Sequence, residues 1–230
     1  MGIIAKPLGW LMTWLYGIIG NYALVIILIT VAVKIILYPI YKNQIMSTAN
    51  MTEMQPKVQE IQRKYAKDRD TMNQKLAELY QEENYNPAKG CLPMIIQMIV
   101  IMALFAVLRN PMTYISNEEM YFAIHESFLW IKDLSQPDLW ILPIAAGVTT
   151  FLSQFLSTVT NPNNSNNSTN TMMKMMLYFF PIMIVWLARS YPSGLALYWF
   201  VSQFIQIFFN LRLNQIRKAL KNKNSKGKKK

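Results

Sequence analysis

Apolar residues occur along the chain in blocks long enough to cross a membrane. The first block extends from Asn21 through residues 31–40, VAVKIILYPI, and contains a single charge, Lys34. About 20 helical residues cross the hydrocarbon core of a bilayer, and lipid-exposed backbone must be helical to satisfy its polar groups. We therefore predict an all-α membrane protein whose five transmembrane helices lie within residues 21–211. The other four blocks are 91–108, 139–156, 172–188 and 194–211.

The first 20 residues show a different pattern, in which glycine and tryptophan interrupt an apolar stripe at helical spacing. This pattern is typical of a helix that lies flat in the membrane interface, and we place it on the extracytoplasmic side. The segment lacks the small-residue cleavage site of a signal peptide, so we expect no cleavage here. The stripe consists of Ile3, Ile4, Leu8, Leu11, Leu15 and Ile18.

The hydrophilic segment 42–90 predicts two amphipathic helices that pair as an antiparallel hairpin. Thr71 and Gln74 match the capping box that begins a helix, so we expect the second helix to begin there. The sequence NYNPAKG at 84–90 ends the hairpin, because its Asn, Pro and Gly residues break helices. The apolar stripes are Met54, Val58, Ile61 and Tyr65 on the first helix and Met72, Leu76, Leu79 and Tyr80 on the second.

Three of the predicted spans also carry a polar face. Thr30, Tyr38 and Tyr41 share the face of Lys34, because they lie at i−4, i+4 and i+7. The hypothesis we favour is that the three faces converge on a water-accessible recess open to the cytoplasm. The alternative is that Lys34 snorkels to the headgroups and that the amides and hydroxyls only join helices. The other two faces consist of Thr150, Ser153, Gln154 and Ser157 on the third span and Trp199, Gln203, Gln206 and Asn210 on the fifth.

Composition and charge strengthen the membrane interpretation and give an orientation. The chain has 230 residues, of which 53% are hydrophobic and 15% charged, far from an ordinary soluble composition. Eighteen of its 23 basic residues lie in 42–90, at Lys174 or in the tail from Arg212. The positive-inside rule therefore places these regions in the cytoplasm and the N-terminus outside. The opposite side has only Lys6, Arg109, Lys132 and Arg189.

Several kinds of chemistry are disfavoured by what the sequence lacks. One cysteine, Cys91, and one histidine, His125, cannot form an internal disulfide or a cluster of soft metal ligands, so we expect no metal and no cofactor. No predicted span has an interior Asp or Glu, which disfavours a proton pump, and a lone outer-loop histidine disfavours an intramembrane serine protease. We expect loop 161–171 to be mobile and the basic end of the tail, KNKNSKGKKK at 221–230, to be disordered.

Four motifs occur in a fixed order along the chain: ILYPIYKNQ, ending at Gln44, then MQPKVQEIQRKY at 54–65, YNPAKGCLPMIIQM at 85–98 and PSGLALYW at 192–199. In order and spacing they resemble the YidC family of membrane protein insertases. The resemblance covers about residues 21–214, and five spans without a large outer domain resemble the Gram-positive form. It implies a bacterial cell-membrane protein that acts as an insertase and folding chaperone.

The resemblance also implies a hydrophilic groove, open to the cytoplasm and the lipid and sealed outside. Lys34 occupies the place of the family's groove cation, which is usually arginine, so the charge is kept but the bidentate fork is lost. The hairpin resembles the element that receives substrates, implying a role for Met54, Val58, Ile61, Met72 and Leu76. The positions implied to line the groove or contact substrate, together with the polar stripes, are Thr30, Ser153, Gln154, Tyr198, Trp199, Gln203 and Gln206.

The implied partners are nascent membrane proteins rather than small molecules. Transfer of the client's apolar span into lipid supplies the free energy, so the protein would not be a chemical enzyme, and the sequence has no nucleotide-binding GxxxxGK[ST]. The basic tail suits ribosomal RNA or anionic lipids, and the Sec translocon is a further implied partner. The alternative function is a transporter or channel subunit, although continuously apolar residues at 23–29 oppose a polar pore.

Overall fold

The computed structural model describes residues 2–83, 85–86, 88–115, 118–159 and 167–227. Helices are the only regular secondary structure within these residues. The described part of the chain has no β-strand, and its single isolated β-bridge joins Phe128 and Ile131. The prediction of an all-α protein is confirmed. The helices are α1 (Gly2–Ile19), α2 (Tyr22–Lys64), α3 (Arg69–Glu82), α4 (Ala88–Arg109), α5 (Pro111–Tyr114), α6 (Glu118–Ala123), α7 (Ile141–Val159), α8 (Asn167–Ala188) and α9 (Ser193–Gly227).

Two helical segments among the described residues are long and apolar enough to cross a membrane, judged by length and composition. They are Tyr22–Asn43 in α2 and Ser193–Ile216 in α9. Shorter apolar segments, Ile95–Leu108, Ile141–Ser157 and Met175–Ala188, lie in α4, α7 and α8. These three helices expose apolar side chains, for example Ile144, Met98 and Ile182, which suits surroundings of lipid.

The first span and the first hairpin helix form one continuous helix rather than two elements. Asn21 caps α2, because its Oδ1 accepts the N–H of Leu24 at 3.0 Å. From there α2 extends for 43 residues, or roughly 65 Å at 1.5 Å per residue. Residues 42–53 contain neither Gly nor Pro, so nothing interrupts the backbone hydrogen bonds where we expected a boundary.

The end of α2 packs against α3 through apolar side chains. Met54, Val58 and Leu79 are buried there, with Ile61 and Leu76 packed against them. Side chains of the two predicted stripes are therefore in contact, and the antiparallel hairpin as a whole stays a prediction.

The predicted start of α3 is wrong. Asp68, not Thr71, caps the helix: its Oδ1 accepts the N–H of Thr71 at 3.1 Å and its Oδ2 accepts the Thr71 hydroxyl at 2.6 Å. These hydrogen bonds from Thr71 lower the pKa of the Asp68 carboxyl below its ordinary value. A carboxylate that accepts two bonds from one residue is a stronger cap than the Thr71 hydroxyl, so the helix begins three residues earlier.

The main apolar core lies where α1, α2, α4 and the start of α9 meet the loop between α6 and α7. Tyr22, Ile26 and Leu104 are almost fully buried in it. The loop is tied to α9 by the backbone, because the N–H groups of Ser193 and Gly194 donate to the carbonyls of residues 136 and 134, each at 2.9 Å. A β-carbon on Gly194 would lie 3.2 Å from the Ile26 side chain, so glycine permits this close approach.

The tail does not match the expectation of disorder. Helix α9 continues to Gly227, so residues 221–227 of the end that we expected to be disordered are helical, and 228–230 lie outside the described residues. Residues 212–226 contain no Gly or Pro, and the Lys and Arg residues that dominate them are good helix formers, so the backbone can remain helical despite the charge. Residues 167–171, expected to belong to a flexible loop, form the beginning of α8, and 160–166 lie outside the described residues.

Candidate functional site

Lys34 lies where α2, α4 and α9 meet and is only 4% exposed. Its ammonium group donates to the hydroxyl of Tyr41 at 3.2 Å, to Oε1 of Gln206 at 3.3 Å and to Oε1 of Gln97 at 3.4 Å. The ammonium nitrogen also lies 4.8 Å from the centroid of the Tyr41 ring, within reach of a cation–π interaction. The three donors of the lysine therefore have neutral oxygen acceptors.

No negative charge accompanies this cation within the described residues. Their ion pairs are Lys57–Glu83, Lys75–Glu78 and His125–Asp133, and none involves Lys34. Burial of a charge is costly unless it is paired and hydrogen-bonded. Here the hydrogen bonds are made but the charge is not neutralised, which makes the site complementary to an anion.

Gln97 of α4 connects Lys34 to the polar side of α9. Its Oε1 accepts from the Tyr41 hydroxyl at 3.2 Å as well as from the lysine, and its Nε2 donates to the Tyr198 hydroxyl at 3.0 Å and to Ser202 Oγ at 3.4 Å. Sequence reasoning did not select Gln97. The available signal was that Gln97 is the one amide in the otherwise apolar span 91–108.

The network continues from α9 to α7. Gln206 Nε2 donates to Asn210 Oδ1 at 3.2 Å, and Asn210 Nδ2 donates to the Ser153 carbonyl at 2.8 Å. The Ser153 hydroxyl in turn donates to Gln203 Oε1 at 2.7 Å. The polar faces predicted on the first, third and fifth spans therefore meet in one hydrogen-bonded chain that begins at Lys34.

The remaining predicted groove residues lie on the same helices with different partners. Trp199 donates its indole N–H to Thr150 Oγ1 at 3.0 Å. Thr30 is buried, and its hydroxyl donates to the carbonyl of Ile26 in its own helix at 2.7 Å. Gln154 is half-buried on α7.

The prediction that the recess is open at Lys34 does not hold in this conformation. The side chains of Tyr41, Gln97 and Gln206 close around the ammonium group and leave it almost no accessible surface. The physical reason is that long polar side chains on three adjacent helices satisfy their hydrogen bonds on one another.

The residues predicted to receive substrate lie in the contact between α2 and α3. Met54 and Val58 are buried, and Ile61, Met72 and Leu76 are half-buried. Of these residues, all but Met72 belong to the apolar cluster between the two helices.

The other end of the bundle carries a second set of polar contacts. Glu126 accepts the backbone N–H of Tyr22 at 2.8 Å and the hydroxyl of Tyr16. Nδ1 of His125 lies 3.0 Å from Asp133 and 2.9 Å from the Ser135 hydroxyl. A nucleophilic triad places the acid and the nucleophile on opposite ring nitrogens, so this group does not have the geometry of a protease.

Comparison with known proteins places this geometry in context. Residues 14–222 match the family described as 60Kd inner membrane protein. The membrane protein insertase YidC of Oceanobacillus iheyensis is 40% identical over 226 residues, covering 95% of this chain and 85% of that protein. The membrane protein insertase YidC of Haemophilus influenzae is 41% identical over 207 residues, which are 89% of this chain but only 35% of that relative. The chain thus spans about a third of the length of the Haemophilus protein.

A solved structure has the same fold. The crystal structure described as active YidC insertase with the first transmembrane domain resolved superposes with a TM-score of 0.61 and is 31% identical. The similarity covers 89% of this chain and 44% of that one. The helices that surround Lys34 therefore belong to an arrangement that a relative shares.

Proposed function

The chain belongs to the YidC family of membrane protein insertases, and we propose that it inserts nascent membrane proteins by guiding their hydrophilic segments through a groove that opens to the cytoplasm when a client binds. The transmembrane helices of the client then leave sideways into lipid. The observation that carries the proposal is the Lys34 ammonium group, buried between α2, α4 and α9 with neutral acceptors and with no carboxylate from the described part of the chain. Such a site favours a polypeptide segment that brings its own negative charge.

The proposed topology has five spans formed by α2, α4, α7, α8 and α9, within a core of residues 21–211. The hairpin 42–90 and the basic tail 212–230 face the cytoplasm, and residues 1–20 form an interfacial helix on the outside. The excess of Lys and Arg in the hairpin and tail supports this orientation. The exposed apolar faces of α4, α7 and α8 support the assignment of these helices as spans.

In the proposed mechanism, a carboxylate of the client replaces Tyr41, Gln97 or Gln206 as a partner of Lys34, and the network opens. A fixed cation lowers the cost of carrying an acidic segment into the membrane. The recess ends partway, because Ile26 and Leu104 close the core beyond it and are at most 2% exposed. This apolar closure supports a groove over the through-pore of a transporter or channel.

The partners we propose follow from charge and from the apolar stripes. Nascent membrane proteins would meet the hairpin first, through Met54, Val58, Ile61, Met72 and Leu76 once α2 and α3 separate. The basic tail would contact ribosomal RNA or anionic lipids, and the Sec translocon would be a further partner. Removing residues 213–230 should weaken co-sedimentation with ribosomes at low salt, and unchanged binding would contradict the ribosome contact.

The central experiment reverses the charge of Lys34 in proteoliposomes that insert a single-span client with an acidic translocated segment. Two charges 4 Å apart interact by about 1 kcal/mol in water and about 4 kcal/mol at an effective dielectric of 20. Replacing attraction by repulsion therefore predicts a loss of about tenfold or more in insertion for Lys34→Glu. Lys34→Arg keeps the charge and should retain activity.

Two controls isolate the electrostatic effect. Lys42→Glu makes the same change at an exposed position of α2 and should have little effect. A client whose acidic residues are replaced by Gln and Asn should be inserted almost equally by the wild type and by Lys34→Glu. Equal insertion of the acidic client by both proteins, with both folded, would refute the proposed role of Lys34.

A further inference from the structure

A tight turn in the loop between α6 and α7 has an unusual residue at its tip. Phe128 and Ile131 exchange two backbone hydrogen bonds, of 2.8 and 2.9 Å, which leaves Leu129 and Trp130 as the two tip residues. Leu129 has φ 53°, and among the described residues it is the one non-glycine with positive φ. Two-residue turns with positive φ favour Gly, Asn or Asp, so a leucine here is an exception.

Packing within the chain does not explain the exception. The Leu129 side chain is 77% exposed, so few contacts inside the protein offset the unfavourable backbone conformation. A bulky residue in the left-handed region is a genuine outlier, and such outliers cluster at functional sites. We therefore looked for a contact of the Leu129 side chain with something other than this protein.

The neighbouring tryptophan fixes where the tip lies. Trp130 donates its indole N–H to Asp138 Oδ2 at 3.0 Å, and the same oxygen accepts the N–H of Leu142 in the first turn of α7 at 2.8 Å. The tip is thus held at the N-terminal end of α7. From that end an exposed apolar ridge extends along the helix through Ile141, Ile144, Val148, Leu152 and Phe155.

A second aromatic residue and a cation lie at the same end. Trp140 is exposed, and the guanidinium of Arg189, just after α8, lies 4.4 Å from the centroid of its ring. Tryptophan is enriched at membrane–water interfaces, where its ring lies at the headgroup level. An arginine beside it suits lipid phosphates, because its planar group binds phosphate and stacks on aromatic rings.

We propose that Leu129 and Trp130 form a lipid anchor that enters the boundary between headgroups and acyl chains of the outer leaflet, beside α7. The occupant is phospholipid, because the tip is held at the end of α7 where the exposed apolar ridge begins, and Trp140 and Arg189 lie at the same end. The anchor holds the loop between α6 and α7 at a fixed depth while the backbone bonds of Ser193 and Gly194 hold it to α9. The proposal rests on the membrane embedding proposed above.

The test uses nitroxide labels in proteoliposomes of phosphatidylethanolamine and phosphatidylglycerol. Cys91 is the single cysteine, so Cys91→Ser provides the background, and Leu129→Cys carries the label. Controls are Ile144→Cys on the ridge of α7 and Lys132→Cys, an exposed polar position of the same loop. At position 129, as at 144, the label should be more accessible to oxygen than to a water-soluble nickel chelate, and at 132 the reverse should hold.

A label at position 129 that behaves like the label at 132 would overturn the anchor. A label at 144 that is open to the nickel chelate would instead overturn the membrane embedding, so the two failures are distinguishable. Because a nitroxide is itself apolar, a second measurement uses the native tip. The difference in fluorescence between the wild type and Trp130→Phe should be quenched by lipids brominated near the headgroup, and its persistence in those lipids would also overturn the anchor.

Discussion

The partners of Lys34 are side chains from three helices, whereas the partners of Glu126 and Asp138 at the opposite end include backbone N–H groups. Tyr41, Gln97 and Gln206 can rotate away from the lysine without any change in the helices that carry them. The N–H groups that donate to Glu126 and Asp138, those of Tyr22 and Leu142 among them, move only with the backbone. The hydrogen bonds of Lys34 can therefore be exchanged for bonds to other partners without a change in the fold. Those of Glu126 and Asp138 hold the backbone at the opposite end in place.

The largest effect is expected when the Glu126 carboxylate, which holds the backbone at the end opposite Lys34, is removed. Glu126→Ala takes an acceptor from the N–H of Tyr22, and a hydrogen bond to a charged group contributes about 1.5–3 kcal/mol. We expect the free energy of unfolding to fall by about 2 kcal/mol, with insertion per folded molecule retained. Denaturant unfolding in detergent and the insertion assay measure the two quantities.

Glu60→Ala, at an exposed position of α2, is the matched control and should leave unfolding unchanged. A Glu126→Ala protein that is as stable as the control would refute the claim that the hydrogen bonds of Glu126 stabilise this end of the fold.

A smaller effect on stability and a larger one on activity should follow from Gln97→Leu. The substitution removes neutral hydrogen bonds, such as the one to Tyr198, and the loss of a neutral hydrogen bond typically changes stability by about 1 kcal/mol. Lys34 also loses Gln97 as an acceptor but keeps Tyr41 and Gln206. The substitution disconnects Lys34 from Tyr198 and Ser202, so insertion of an acidic client should fall several-fold while folding persists. Gln97→Asn keeps an amide on a shorter stem and should recover part of the activity.

Full activity of a folded Gln97→Leu protein would show that the link to Tyr198 and Ser202 is dispensable.

The smallest expected effect is a pH dependence confined to the loop between α6 and α7. Burial opposes ionisation of Asp133 and Asp138, but hydrogen bonds outweigh it and lower the pKa of both carboxyls. The donors to Asp133 are Ser135 and His125. The donors to Asp138 are the Trp130 indole and the backbone N–H groups of residues 139, 140 and 142, at the start of α7. A lowered pKa in the folded state stabilises the fold above the ordinary carboxyl value of about 4, and this contribution is lost as the pH falls through the lower folded value.

Amide hydrogen exchange, corrected for intrinsic rates, should therefore show the loop losing protection between pH 6 and pH 3. The part of α9 around Tyr198 and Gln206 should lose less, because no carboxylate takes part in the Lys34 network among the described residues. Equal loss in both regions would remove this distinction between the two ends.

Periodicity predicted the elements that depend on one face of a helix. The polar stripe of α9 and the patch on α7 are read directly from spacing, and they meet as expected through Ser153 and Gln203. Periodicity did not identify Gln97 as a site residue, because a single polar residue in an apolar span forms no repeating pattern. The sequence also did not predict the closure around Lys34. This closure depends on contacts between long side chains of separate helices, which periodicity within one helix does not reveal.

Local backbone chemistry was harder to read. The continuity of α2 depends on the absence of breaking residues over 42–53, a weaker signal than a change of polarity. The start of α3 depends on which of two neighbouring oxygens, those of Asp68 and Thr71, accepts the free N–H groups. The strained tip at Leu129 had no sequence signal, because leucine ordinarily avoids that conformation.

The unbroken α2 places a bending point inside the site itself. Pro39 has no N–H to donate within the helix, and it lies between Lys34 and Tyr41, whose side chains are joined by a hydrogen bond. A force on the distant end of α2, where Met54 and Val58 meet α3, would turn the segment of Tyr41 relative to the segment of Lys34. Under the proposed topology, a client that pushes on this end from the cytoplasm would thus separate the Tyr41 hydroxyl from the Lys34 ammonium group.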